Sequence, residues 1–346
     1  MNLERTPREP WRLERRAFMR CAALGAAGAA LGAGPAPEGA RASGPAGVEI
    51  ANASLRVTVS PGDGASLLAF QGLCRGRWLN LYPDTRAAAG GLRQASWMML
   101  PYSNRIRNGA FSFAGKAYQL RNGQRHAIHG DARTRPWAVA EQSASHVRLT
   151  LRSADFADFN WPWPIEAEAS FRVAALTFVQ TLRLRNCGTT AMPAGFGWHP
   201  FYPRALTRES EPVRMQMNWG GVYPDADGDC LPEGPMQPLP PDLDYASAKA
   251  VPLDRRYDTC LGGYDGRGFI EWPESGVRLS YLCSPNVTHF VYYNPTDRPY
   301  FAAEPVSHVN NGVNHLAQGW AGHGVQVLPA GAALEASFET ALTVLA

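Results

Sequence analysis

From about residue 50 onward, apolar and polar residues alternate with a period of two, and no run of a dozen residues carries a convincing helical period. A period of two puts successive side chains on opposite faces, so such a chain must build half-buried strands. Leu55, Val57 and Val59 alternate with Arg56 and Thr58, and Val147, Leu149 and Leu151 alternate with Arg148 and Thr150. Ile165, Ala167, Ala169, Phe171 and Val173 share one face of a long strand, and Leu176, Phe178, Leu182 and Leu184 share one face of the next. Leu334, Ala336, Phe338, Leu342 and Val344 repeat the pattern near the C-terminus. The 34 Gly and 28 Pro cut these runs into turns. The expected fold class is all-β, a large antiparallel β-sandwich or barrel. A body of about 300 residues can stay one domain in this class.

The first 42 residues do not belong to that pattern. Arg15-Arg16 precede Ala17-Phe18-Met19-Arg20, an Ala/Gly-rich apolar run from Cys21 to Gly34, and Ala40-Arg41-Ala42. A charged segment, a short apolar run and a small-residue site describe an export signal, and the arginine pair gives it a twin-arginine form. The run is too short and too poor in Leu, Ile and Val to span a bilayer. The expectation is a signal over residues 1–42, a single domain over 43–346, and a periplasmic location. With the signal removed, 26 basic and 26 acidic residues remain. A neutral body offers no basis for a nucleic-acid or anionic-membrane partner.

Cys74, Cys187, Cys230, Cys260 and Cys283 lie far apart with no C-x-x-C pair, so zinc is not indicated, and they read as small buried hydrophobes. Asp225, Asp227 and Asp229 form D-x-D-x-D, but Gly228 is misplaced for a calcium loop and no Glu follows at the required spacing. Residues 223–246, with five prolines between Leu231 and Pro241, read as a long surface loop. No nucleotide, metal or nucleophile-elbow motif is present, and no cofactor or metal is expected.

Polar residues at turns and strand ends carry the chemistry instead. They are Asn104-Arg105 in PYSNRIRNG, His129 in HAIHGD, His199 in GFGWHPFYP, Asp258 in RYDTCLGG and Glu304 in AAEPVSHVNNGVN. An arginine, two histidines and two carboxylates suit gripping a polyhydroxylated ligand and moving protons on it.

The segment from Pro101 to Gly109, with Phe111-Ser112-Phe113 and Gly115-Lys116-Ala117-Tyr118 behind it, resembles the N-R-I…G-x-F-x-F-x-G-x-x-Y block of the aldose 1-epimerase, or galactose mutarotase, family. His126-Ala127-Ile128-His129-Gly130 resembles that family's first-histidine segment, and Gly197-Trp198-His199-Pro200-Phe201 its G-x-H-P-[YF] segment. Glu304-Pro305 followed by Asn310-Asn311-Gly312-Val313-Asn314 resembles its E-P…N block, and Leu328-Pro329-Ala330-Gly331 its last turn. The motifs occur in matching order from about residue 50 to the C-terminus.

The resemblance implies a mutarotase-type supersandwich and interconversion of the α and β anomers of a free aldose, without a cofactor. It implies that Glu304 is the general base at the anomeric hydroxyl and His199 the general acid at the ring oxygen. Arg105, His129, Asp258 and Asn104 would bind the sugar. Three have a structural alternative: Glu304 could cap a loop, His199 could be a core histidine, and Arg105 could serve a turn ion pair. Asp254 and Asp265 compete with Asp258, because the family's usual D-x-x-F context is absent here. Trp198 and Trp97 are the tryptophans expected to line the site, whereas Trp161 and Trp163 read as core. Two other readings use the same sandwich. A non-catalytic carbohydrate-binding protein would not need both His199 and Glu304. A hexose-phosphate epimerase would need extra Arg or Lys at the site, and Lys116 and Lys249 are the only lysines. A glycosidase would want a second catalytic carboxylate motif.

Overall fold

The computed structural model describes residues 47–345, apart from 88–90, 122, 124, 209 and 210. The export signal expected over residues 1–42 lies outside the described residues. Within them the strands are antiparallel and form two large sheets, of nine and seven strands, with a four-stranded sheet beside them.

The nine-stranded sheet is built on Ile165–Ala174, Thr177–Asn186, Ala333–Val344 and Val277–Cys283, neighbours in that order. Its register places Phe178 opposite Val173 and Thr340, and Leu182 opposite Ala169 and Ala336. The sequence alternation thus becomes one continuous buried, largely apolar face. In Ile165–Ala174 every second residue is buried. Gln180 sits on the same face and is buried with it. Leu176 departs from expectation: it belongs to the turn with Ala175, at φ 50°, and its side chain is exposed. Val344 is exposed as well, at the sheet's end.

The opposite layer comes from two sheets. Phe70 of the strand Ser66–Cys74, in the four-stranded sheet, packs on Phe178 with ring centroids 5.0 Å apart. Trp198, in the seven-stranded sheet, packs on Phe338 at 5.7 Å, and Phe338 also meets Tyr281 at 4.9 Å. The fold is therefore a large antiparallel β-sandwich. Phe338 is fully buried at the centre of this contact. Phe338→Ala is expected to cost about 3–5 kcal/mol of stability, seen as a lower midpoint in urea; a loss under about 1 kcal/mol would place the core elsewhere.

One α-helix, Gly312–Ala317, is described. The stretch 223–246 has no strand, but it is not a surface loop throughout. Tyr223, Cys230, Leu231, Leu243 and Tyr245 are buried in it, and a bridge joins Val222 to Gln237. Cys187 is exposed, against the buried-hydrophobe expectation, while Cys74, Cys230, Cys260 and Cys283 are buried.

Candidate active site

The strand Tyr300–Val306 lies inside the seven-stranded sheet, between His289–Asn294 and Gly197–Trp198, and Phe201–Pro203 also pairs with it. Glu304 sits in its middle, opposite Val291, and is 1% exposed. His199 follows Gly197–Trp198, and its backbone N–H donates to the Trp97 carbonyl at 2.9 Å. Adjacent residues on extended chain face opposite ways. Trp198 therefore goes into the core against Phe338 and Phe196, while His199 meets Glu304, Nε2 to Oε1 3.1 Å. This corrects the expectation that Trp198 lines the site. Trp97 does line it: its indole stacks on the His199 ring at 4.0 Å with 28° between planes.

Asn104 and Arg105 reach the site through a crowded turn. Asn104 at φ 49° and His129 at φ 65° both occupy the left-handed region, and the His129 N–H donates to the Asn104 carbonyl at 2.8 Å. Gly130, also at positive φ, has no alternative: a Cβ there would lie 1.8 Å from the Leu100 carbonyl oxygen. The strand Arg105–Arg107 pairs with His126–Ile128, which carries His129 alongside. Asn311 fastens the other edge. Its N–H donates to the Arg105 carbonyl at 2.7 Å, and its Oδ1 accepts from the Arg107 N–H at 3.0 Å. His308 Nε2 accepts from the Ser103 N–H at 3.0 Å. The asparagine block after Glu304 thus shapes the turn that carries Asn104, a role its sequence did not reveal.

The side chains converge. Asn104 Nδ2 donates to Glu304 Oε2 at 3.3 Å, and the His129 ring meets His199 edge-on at 5.2 Å. Arg105 donates to Asp258 Oδ2 at 3.1 Å. Asp254 is exposed, and Asp265 binds Asn218 and the Arg267 N–H instead. Of the three aspartates, Asp258 is the one beside Arg105. Cys230, read from sequence only as a buried hydrophobe, borders this pair, and Asn310 of the E-P…N block donates through Nδ2 to the Cys230 carbonyl at 2.7 Å. Burial, then the Asp258 charge, holds the Cys230 thiol well above its ordinary pKa, so it stays protonated. Trp161 and Trp163 are buried among Phe111 and Tyr118 and belong to the core. Two surface grooves, of about 390 and 330 Å³, flank Tyr118, but neither contains an acid–base pair. The chemistry, not the concavity, locates the site.

Electrostatics divide the site in two. Burial raises the Glu304 carboxyl well above the usual range, partly offset by the Asn104 hydrogen bond. Burial also lowers His199 well below its usual range, helped by the charge on Arg133. Burial, then His199 and Arg133, lowers His129. A dry site disfavours separated charges. Burial thus favours the uncharged form of each partner, which corresponds to one proton shared by the His199–Glu304 pair. His129 Nδ1, His199 Nδ1, Trp97 Nε1 and Asn310 Oδ1 are buried without a protein partner. Arg105 and Asp258 are partly exposed at the rim, with side chains 21% and 17% accessible. The arrangement is a buried floor holding an acid–base pair beneath a charged rim with hydrogen-bond donors and acceptors.

The family model described as aldose 1-epimerase matches residues 48–337. The uncharacterised protein YphB of Escherichia coli (strain K12) is 26% identical over 251 residues, covering 68% of this chain and 82% of that one. The uncharacterised protein YihR of the same strain is 27% identical over 264 residues, covering 74% and 82%. The crystal structure of a galactose mutarotase-like protein from Clostridium acetobutylicum superposes with a TM-score of 0.71 at 15% identity, covering 86% of this chain and 95% of that one, which shows a common fold.

Proposed function

The chain belongs to the aldose 1-epimerase family, and on that premise we propose that it interconverts the α and β anomers of a free aldose. The observation that carries this reading is the buried contact between Glu304 and His199, 3.1 Å apart beneath the Arg105–Asp258 rim. Mutarotation needs a proton taken from the C1 hydroxyl and one given to the ring oxygen, followed by rotation about C1–C2 and closure on the other carbonyl face. A sugar seated between rim and floor replaces the direct His199–Glu304 contact with one through its own atoms. The proton of the resting pair then sits on His199, and Glu304 is ionised. Glu304 takes the anomeric proton as His199 protonates the ring oxygen, and the roles reverse on closure. Asn104 orients the carboxylate through its 3.3 Å hydrogen bond, and His129 stands beside the acid. The proton count of the pair is unchanged over a full cycle.

Polarimetry of freshly dissolved α-glucose, α-galactose and other aldoses with the mature chain tests this. The expected result is faster approach to the equilibrium rotation; an unchanged rate with every aldose, alongside measurable sugar binding, would make the protein a binder.

We also propose export through the twin arginines. Replacing Arg15 and Arg16 with Lys is expected to leave an unprocessed chain in the cytoplasm, measured by fractionation and intact mass; normal processing of that variant would rule out the twin-arginine route.

A further inference from the structure

Two flat side chains besides the acid–base pair pack in line with it. The Trp97 indole stacks on the His199 imidazole at 4.0 Å, and the Arg133 guanidinium lies over the same indole, 4.4 Å from its centroid. Arg133 comes from the short turn Ala132–Thr134, just past His129. Its Nε is buried without a partner, and the nearby charges that act on the guanidinium are those of Asp63 and Arg93, of opposite sign to each other. A largely desolvated guanidinium is costly, and a cation over an indole face recovers only part of that cost. Trp97 is further boxed edge-on by His129 and Phe201, at 5.7 and 5.6 Å.

We propose that Trp97 and Arg133 are positioning residues for proton transfer at His199. The indole fixes the plane of the imidazole so that Nε2 stays aimed at Glu304, and the guanidinium pins the indole and sets the charge against which the pair works. This rests on the proposed mutarotase reading and names the parts that hold its acid in place. The charged and titratable groups that face His199 are Glu304 on its strand, His129 after His126–Ile128, Arg105 at the rim and Arg133 behind Trp97. Among the charges that lower His199, Arg133 acts more strongly than Arg105. Removing it lets the pair take up its second, inactivating proton at higher pH.

The test uses Arg133→Gln, Arg133→Lys and Trp97→Phe in the mature chain. For Arg133→Gln, kcat falls with little change in KM, and the acid limb of kcat/KM moves up by about half a pH unit. Arg133→Lys keeps the charge and returns the limb to its parental place. Trp97→Phe, which keeps an apolar wall but shortens the platform, lowers kcat about tenfold, as misorientation of a transferring group does. NMR titration of the His199 ring reads the same upward shift in Arg133→Gln without any turnover. Failure of the mutarotase reading, with no turnover in the parent, is thus distinguishable from failure of this one. Superposable pH profiles and ring titrations for the parent and Arg133→Gln overturn the proposal; should Arg133→Gln not fold, parental kcat in Trp97→Phe does so. A loss in Arg133→Gln confined to KM for a phosphorylated aldose also overturns it, making Arg133 an anion anchor.

Discussion

Glu304→Gln is expected to remove most of the catalysed mutarotation, a loss of about 10²–10⁴-fold in kcat, with His199→Asn close behind. Such a loss corresponds to about 3–5 kcal/mol of transition-state stabilisation. Glu304→Gln keeps the shape of the side chain and removes its proton chemistry; His199→Asn removes the imidazole that carries Nε2. The two losses should not add in the double variant, because base and acid work on one proton cycle. Stability should move the other way. Burial raises the Glu304 carboxyl above its unfolded value, so the folded state holds this proton more tightly than the unfolded state. Stability from this group is therefore present below the ordinary carboxyl pKa and is lost as pH rises through the folded value. Neutral Gln escapes that loss. The variant should melt no lower than the parent at pH 8 while being nearly inactive. Near-parental turnover in either variant would remove that residue from its assigned role. A sharply lowered melting temperature for Glu304→Gln would mean the carboxyl holds the fold together. The pH profile follows from the same pair. kcat/KM should fall at low pH as the pair gains a second proton and at high pH as it loses its only one.

Asp258→Asn is expected to raise KM by about ten- to a hundredfold, the size of one lost hydrogen bond to a charged group. The Arg105–Asp258 pair is partly exposed, so its own contribution to stability is small and the fold should not suffer. The effect should appear in binding because the rim holds sugar hydroxyls rather than reacting atoms. Some loss of kcat is expected too, since a sugar shifted by a fraction of an ångström presents C1 badly. Asp254→Asn and Asp265→Asn serve as controls, one exposed and the other committed to Asn218 and Arg267. A strong effect at either control with a silent Asp258 would move the binding carboxylate.

The sequence by itself determined the layer architecture. A period of two over Ile165–Ala174, Thr177–Asn186 and Ala333–Val344 leaves one face apolar, and a sheet with such a face must cover it with another. The residue types of Asn104, Arg105, His129, His199, Asp258 and Glu304 at turns and strand ends, and the family resemblance of the motifs around them, also marked them, because proton transfer and polyol binding draw on few residue types. The tertiary structure alone decided which way each side chain faced. Trp198 and His199 are neighbours in the chain, and the register of one short strand sends the first to the core and the second to Glu304. No local pattern records that choice, since a single Gly-Trp strand is too short to show a period. Arg133 escaped notice for a similar reason. Its place over Trp97 depends on two segments more than thirty residues apart meeting in space. The left-handed backbone of Asn104 and His129 and the pinning of their turn by Asn311 and His308 are likewise contacts between distant segments. Composition fixes which chemistry is possible, and only the folded chain brings a carboxyl and an imidazole into the dry contact that shifts their proton affinities.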